Sequence, residues 1–152
     1  ISGVFYPTEG SITTYSNKYG YVGASPMILN ESIRENLLYG SKNKITDEQM
    51  MEYLKLFKTF EAEEDYNLDR KISNKSLSSG QMQKIAFIRT LIYGVDILIL
   101  DESTSNLDSA SKGVIYEIID GLDITIINST HNPDELINFD NHIEMSDLLG
   151  NS

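Results

Sequence analysis

Asp101 and Glu102 stand side by side at the end of the apolar run Ile97-Leu98-Ile99-Leu100, and about twenty residues upstream Leu77-Ser78-Ser79-Gly80-Gln81 opens an amphipathic stretch. Two carboxylates at the end of a buried strand suit magnesium binding and acceptance of a proton from an attacking water. A small Ser/Gly turn at a helix start presents backbone N–H groups and the positive dipole end to an anion, so it reads as a phosphate contact. Together, in this order, the two features suggest nucleotide hydrolysis. Each has a plainer alternative. The acids would also cap the turn Ser103-Thr104-Ser105, and the Ser/Gly turn would also serve as a simple capped helix start.

The elements that must hold these residues are legible from periodicity. Ile97 to Leu100 is continuously apolar, as expected of a strand covered on both sides, and Ile124-Thr125-Ile126-Ile127 reads as a second buried parallel strand ending at Asn128-Ser129-Thr130-His131. Met82, Ile85, Ala86, Arg89 and Ile92 share one face of the helix that begins at 77, and another helix is expected over 109–120. In α/β folds ligands bind at the carboxyl ends of parallel strands, so Asp101, Glu102 and His131 are expected to converge there. Upstream, residues 11–23 carry Ile12, Thr13, Thr14, Tyr15, Tyr19, Tyr21 and Val22, which favours β-structure before a turn from Gly23 to Pro26. Asn30 or Ser32 can cap a short helix ending near Gly40. Thr46-Asp47-Glu48-Gln49 offers capping chemistry for a second one, whose core stripe is Met50, Leu54 and Phe57, widened by Tyr53 and Leu56. Residues 61–76 read as polar loop. The expected architecture is α/β: parallel strands flanked by helices, with a small helical subdomain inserted.

The 152 residues amount to one domain or part of one, enough to bury roughly 70% of the unfolded surface if the fold is complete. The net charge of −11 argues against a nucleic-acid surface, which gains affinity by replacing counterions with Lys and Arg. Much of that acidity lies in Glu61-Ala62-Glu63-Glu64-Asp65, the pattern of a solvated segment. There is no cysteine, hence neither a disulfide framework nor a thiolate metal site, which suits a cytosolic setting. No apolar run approaches the ~18 residues needed to span a bilayer, so contact with a membrane would come through a partner segment.

The stretch from Leu77 to Glu102 resembles the ATP-binding cassette family, the nucleotide-binding domains of ABC transporters, whose signature loop, signature helix and magnesium strand come in this order and spacing. Ser105-Asn106-Leu107-Asp108 is similar to that family's D-loop, and Thr130-His131 to its switch histidine. Tyr21-Val22-Gly23-Ala24-Ser25-Pro26, with Asn30-Glu31-Ser32-Ile33-Arg34-Glu35-Asn36-Leu37 after it, is similar to the Q-loop and next helix of exporter-type members. The phosphate-cradling loop G-x-x-x-x-G-K-[ST] is not found, and no Gly-Lys dipeptide occurs in the chain. Ile1 to Ile12 resembles the family's segment just past that loop's helix, so the native polypeptide is expected to continue upstream and carry the loop there.

The resemblance implies a partial P-loop NTPase core in three stretches: 1–26 up to the Q-loop, 27–76 as the helical subdomain that receives a transmembrane coupling helix, and 77–152 from the signature onward. It implies ATP and Mg2+ as ligands, Asp101 as the metal residue, and Glu102 and His131 as catalytic. Ser78, Ser79, Gly80 and Gln81 would clamp the γ-phosphate of a nucleotide held by a second nucleotide-binding domain, with Asp108 ordering the dimer interface or simply capping its helix. Partners would be that second domain and a transmembrane domain, at the cytoplasmic side of the membrane. His142 has no such context and reads as surface.

Two departures stand out. Ser79 occupies the first of the family's two signature glycines, and Ala24 stands where the Q-loop supplies a glutamine to the metal and the attacking water. No Gln occurs between Ile1 and Gln49, so no local shift of alignment restores it. The leading expectation is the ATPase of an ABC exporter, with this chain inactive alone. The second is a degenerate or regulatory cassette that binds ATP for dimerisation without efficient hydrolysis, and a third is a soluble ABC ATPase acting on DNA or ribosomes. Because the missing loop's strand lies beside the histidine strand in the family's sheet order, Ile124 to Ile127 is expected to form an uncovered edge prone to self-association.

Overall fold

The computed structural model describes residues 7–131 and 139–144. The order of elements is β1 (Tyr19–Gly23), α1 (Ile33–Leu38), α2 (Asp47–Leu56), a 3-10 turn (Glu63–Asp65), α3 (Ser79–Tyr93), β2 (Ile97–Asp101), α4 (Ser109–Asp120) and β3 (Thr125–Ser129). The three strands form one parallel sheet in the order β1-β2-β3. The middle strand is the most apolar one, with Ile97, Leu98 and Leu100 buried. Its register sets Gly23, Asp101 and Ser129 abreast at the carboxyl rim.

Three helices start on the same local device. Ser32, Thr46 and Ser78 each accept a hydrogen bond from the backbone N–H three residues on, while Glu35, Gln49 and Gln81 return a side-chain oxygen to the cap residue's N–H. These reciprocal boxes satisfy two otherwise orphaned donors at each helix start, and their S-x-x-E, T-x-x-Q and S-x-x-Q spacing is visible in the chain. The Ser32 hydroxyl and N–H hold the Glu35 carboxyl below its ordinary value. Helix α1 stops at Leu38, before Gly40 adopts a left-handed φ of 80°. Arg34 then ties α1 to its surroundings, pairing with Asp47 at the head of α2 and with Asp69 at 3.3 Å.

Helix α3 is the centre of the molecule. It packs on β1 of the sheet and on both α1 and α2. One apolar cluster therefore runs from Leu37, Met50 and Leu54 through Ile85, Phe87 and Ile88 to Leu98, Leu100 and Ile115. The single apolar face expected for this helix is too narrow a description: Gln83, Phe87, Ile88 and Thr90 are buried as well, because neighbours cover α3 on more than one side.

Other expectations shift too. Strand structure begins only at Tyr19, and Ile12 to Thr14 are exposed; among the described residues no strand lies beside them to pair with their backbone. Leu56 is half exposed rather than part of the α2 stripe, because it falls off the face that carries Met50 and Leu54. Strand β3 starts at Thr125 and is an edge of the described sheet, as is β1.

Gly20 shows how close β1 and α3 lie. A Cβ on that residue would overlap Thr90 Cγ2 and come within 3.0 Å of Val95 Cγ1. Forcing extra volume into such a contact costs about 1–3 kcal/mol. Gly20→Ala should therefore lower the denaturation midpoint, and adding Thr90→Ser, which deletes the offending methyl but keeps the hydroxyl that bonds Ala86 O, should recover part of the loss. Equal midpoints for the single and double variants would contradict this packing.

Candidate functional site

Asp101 ends β2 with its side chain at the rim, and the next residue, Glu102, takes φ 48°, a left-handed conformation uncommon for a residue with a Cβ. The ladder nonetheless continues, since Glu102 N–H donates to Ser129 O at 3.0 Å. That bond ties the Glu102 backbone to the end of β3 and leaves its side chain at the rim. His131, two residues beyond the end of β3, brings Nδ1 to 3.5 Å from Glu102 Oε1, with both side chains more than half exposed. Asp101, Glu102 and His131 are thus brought together at the carboxyl end of the sheet.

The opposite wall comes from β1. An open concavity at the rim is lined by Tyr21, Gly23, Ala24, Ser25, Asp101 and Glu102. Tyr21 donates its phenolic proton to Asp101 Oδ2 at 2.9 Å, and that bond to a carboxylate raises the phenol above its ordinary value. Behind the wall, the Ala24 carbonyl accepts from two amides, Asn106 Nδ2 at 3.1 Å and Gln83 Nε2 at 3.4 Å. The turn after β1 is therefore held by its backbone to α3 and to the loop before α4, with no side chain of its own involved.

The signature-like residues sit apart from that concavity. Ser78 and Ser79 are exposed to solvent, whereas the Ser78 hydroxyl and the Gln81 side-chain oxygen are engaged in the capping box at the head of α3. Gly80 faces the loop 105–108, where an added Cβ would lie 3.5 Å from Leu107 Cδ2 and 3.6 Å from Asn106 O, ordinary contact distances. Asp108 caps α4, accepting from Ser111 N at 2.9 Å and from Ser111 Oγ at 2.7 Å; those bonds, the hydroxyl's first, hold its carboxyl below the ordinary value. His142 is exposed, 3.5 Å from Glu144 Oε1 and edge-on to Phe139.

Sequence reasoning missed Tyr21, Gln83, Asn106 and the pair Asn36 and Arg89. Tyr21 had a usable signal, its even spacing from Gly23, which places both on the face that Asp101 shares. Gln83 had another, a polar residue four positions before the apolar Phe87 on the same helix. Asn36 is fully buried, and its side-chain oxygen accepts from Leu29 N at 2.8 Å and from Arg89 Nη2 at 3.3 Å; Arg89 also donates to Asn36 O at 2.7 Å and to Met27 O at 3.0 Å. Nothing in the linear pattern joins these two.

As a donor set, Asp101 and Glu102 offer hard oxygens open to solvent. Among the described residues no group of three or more His, Cys, Asp or Glu is placed to hold a metal by itself. Magnesium commonly takes one or two carboxylates and fills its shell with water and substrate phosphate oxygens, so the pair fits a magnesium shared with a phosphorylated substrate.

A parallel sheet packed against helices, with its acids at the carboxyl rim, is the arrangement of a P-loop NTPase-type core. The ABC transporter family pattern matches residues 1–105, and the chain belongs to that family, as part of a nucleotide-binding domain of the exporter-like kind. The ATP-dependent permease MDL1 of Candida albicans is 35% identical over 142 residues, 88% of this chain and 21% of the relative. The multidrug resistance ABC transporter ATP-binding and permease protein of Lactococcus lactis is 30% identical over 134 residues, 78% of this chain and 23% of that protein. A solved bacterial Atm1-family ABC exporter with ATP bound superposes with a TM-score of 0.65 at 23% identity, covering 78% of this chain and 22% of its own; that likeness concerns the fold. The chain thus spans about a fifth of the length of these relatives.

Proposed function

We propose that this chain is the catalytic-carboxylate part of an ATPase that drives export across a membrane, working with a second nucleotide-binding domain and a transmembrane domain. The observation that carries the reading is the grouping of Asp101, Glu102 and His131 at the sheet rim, with Glu102 held in a left-handed conformation. A strained backbone at a strand end costs on the order of 1 kcal/mol and persists where surrounding structure demands it, often at functional sites. Here the demand is that Glu102 face solvent while its N–H stays in the ladder.

The roles come from chemistry. Asp101 would hold magnesium, which supplies positive charge against the β- and γ-phosphate oxygens when bound. Glu102 accepts a proton from the water that attacks the γ-phosphate, and His131, beside it, donates to a phosphate oxygen or across the dimer seam. Phosphoryl transfer depends mainly on positioning and charge stabilisation, and the exposed Ser78-Ser79-Gly80 turn offers donors for a phosphate presented by the second domain. Asp108, as the cap of α4, sets the loop 105–108 that would meet that domain, and the helices within 27–76 would receive the transmembrane partner. With no Gly-Lys loop among these residues, ATP binding is assigned to the assembled transporter and not to this chain alone. Among the described residues no helix is long and apolar enough to cross a membrane. In this reading the membrane contact is made by the transmembrane partner, and the ATPase works at its cytoplasmic face.

The second reading, a cassette that dimerises on ATP with little hydrolysis, has Ala24 in its favour, since alanine has no group to offer the metal or the water. Turnover of the full-length protein in membranes, beside ATP-dependent dimerisation, separates the two. Magnesium-dependent hydrolysis is expected; dimerisation without hydrolysis would transfer the assignment to the second reading.

A further inference from the structure

Tyr21 lies two residues before Gly23 on β1, so the two share one face of the sheet, and Gly23 stands directly opposite Asp101 in the parallel register. At that position there is no side chain, and the Tyr21 ring extends across it. A Cβ on Gly23 would approach Tyr21 Oη to 2.9 Å, Cε1 to 3.0 Å and Cζ to 3.2 Å. Only glycine leaves the gap through which the phenol reaches Asp101 Oδ2. The next residue, Ala24, brings no polar side chain to the concavity that Tyr21 and Asp101 line together.

We propose that Tyr21 is a positioning residue of the metal site, its phenol holding Asp101 by one carboxylate oxygen and leaving the other free at the rim, on the wall where Ala24 contributes nothing. A carboxylate at a strand end otherwise turns about its terminal torsion, which is broad and weakly restrained. One donated hydrogen bond settles the plane of the group, and Gly23 is what admits that donor. Partners that orient a metal-binding carboxylate through a hydrogen bond are worth about 10- to 100-fold in metal affinity; a single donor on one carboxylate oxygen takes the low end of that range.

The inference rests on the ATPase reading, and the experiment keeps the two apart. In the full-length protein with ATP, Mn2+ binding is followed by electron paramagnetic resonance, and the Mg2+ concentration for half-maximal turnover is measured in parallel. Tyr21→Phe, which keeps the ring and removes only the donor, is expected to weaken Mn2+ binding about tenfold. The Mg2+ requirement should rise alongside, while maximal turnover at saturating Mg2+ falls less than the affinity does. Gly23→Ala should produce the same loss by displacing the phenol, and in the Tyr21→Phe background it should add nothing to it. Wild-type Mn2+ affinity in Tyr21→Phe, with affinity lost in Asp101→Asn, overturns the role of Tyr21 and leaves the ATPase reading standing. Wild-type affinity in Asp101→Asn overturns both.

Discussion

Replacing Glu102 by Gln in the full-length protein is expected to leave ATP binding in place and to cut turnover by about 10²- to 10⁴-fold, the contribution of a positioned general base. The change keeps the shape and length of the side chain and removes only its ability to take a proton. It leaves the backbone bond from Glu102 N–H to Ser129 O untouched, so the rim should hold its form. His131, with Nδ1 3.5 Å from Glu102 Oε1, would not replace the carboxylate while donating to phosphate. Single-turnover hydrolysis alongside nucleotide binding reads the effect, and near-normal turnover in the variant would remove Glu102 from the mechanism.

The second large effect falls on stability. Asn36→Ala is expected to destabilise the protein by about 3 kcal/mol, because a fully buried amide that serves several backbone groups leaves them without partners when it goes. Its side chain joins Leu29 N–H and the carbonyls of Leu29 and Ser32, and it meets Arg89, whose guanidinium is drawn below its ordinary value by burial. Arg89 has no carboxylate within this group; its charge is spread over the oxygens of Asn36 and Met27 and over the Tyr39 ring, 5.6 Å from its centroid. Loss of Asn36 therefore unpairs both a backbone turn and part of a half-buried cation, and α1 should loosen from α3. Urea unfolding measures the total, and hydrogen exchange at residues 28–38 locates it. A change within about 0.5 kcal/mol, the range of ordinary surface substitutions, would show the network to be dispensable.

Helix starts were the most legible part of this chain, since a capping box is a contact between residues three apart. Of the two candidates Asn30 and Ser32 it is Ser32 that caps α1, and Thr46 caps α2 as expected. The apolar run ending in Asp101-Glu102 was equally readable, because a strand buried on both faces leaves no room for alternation. What periodicity could not show was how crowded α3 is: a single face was expected, and cover on more than one side was found. The reading of residues 11–18 as strand failed for a related reason, as β-propensity describes a side chain's fit to a pleated surface and cannot supply the partner strand.

The sequence by itself pointed to the proposed class of chemistry, through two acids at the end of an apolar strand and a serine-rich helix start in fixed order, because those are local arrangements of neighbouring residues. Only the tertiary structure decided which groups meet them. The left-handed turn at Glu102, the phenol of Tyr21 passing over Gly23 to Asp101, the two amides on the Ala24 carbonyl and the Asn36–Arg89 bond all join residues that are far apart in the chain or depend on a register between strands. Such contacts are set by how helices and sheet pack against one another; spacing along the chain puts Tyr21 and Gly23 on one face but does not name the partner that either meets.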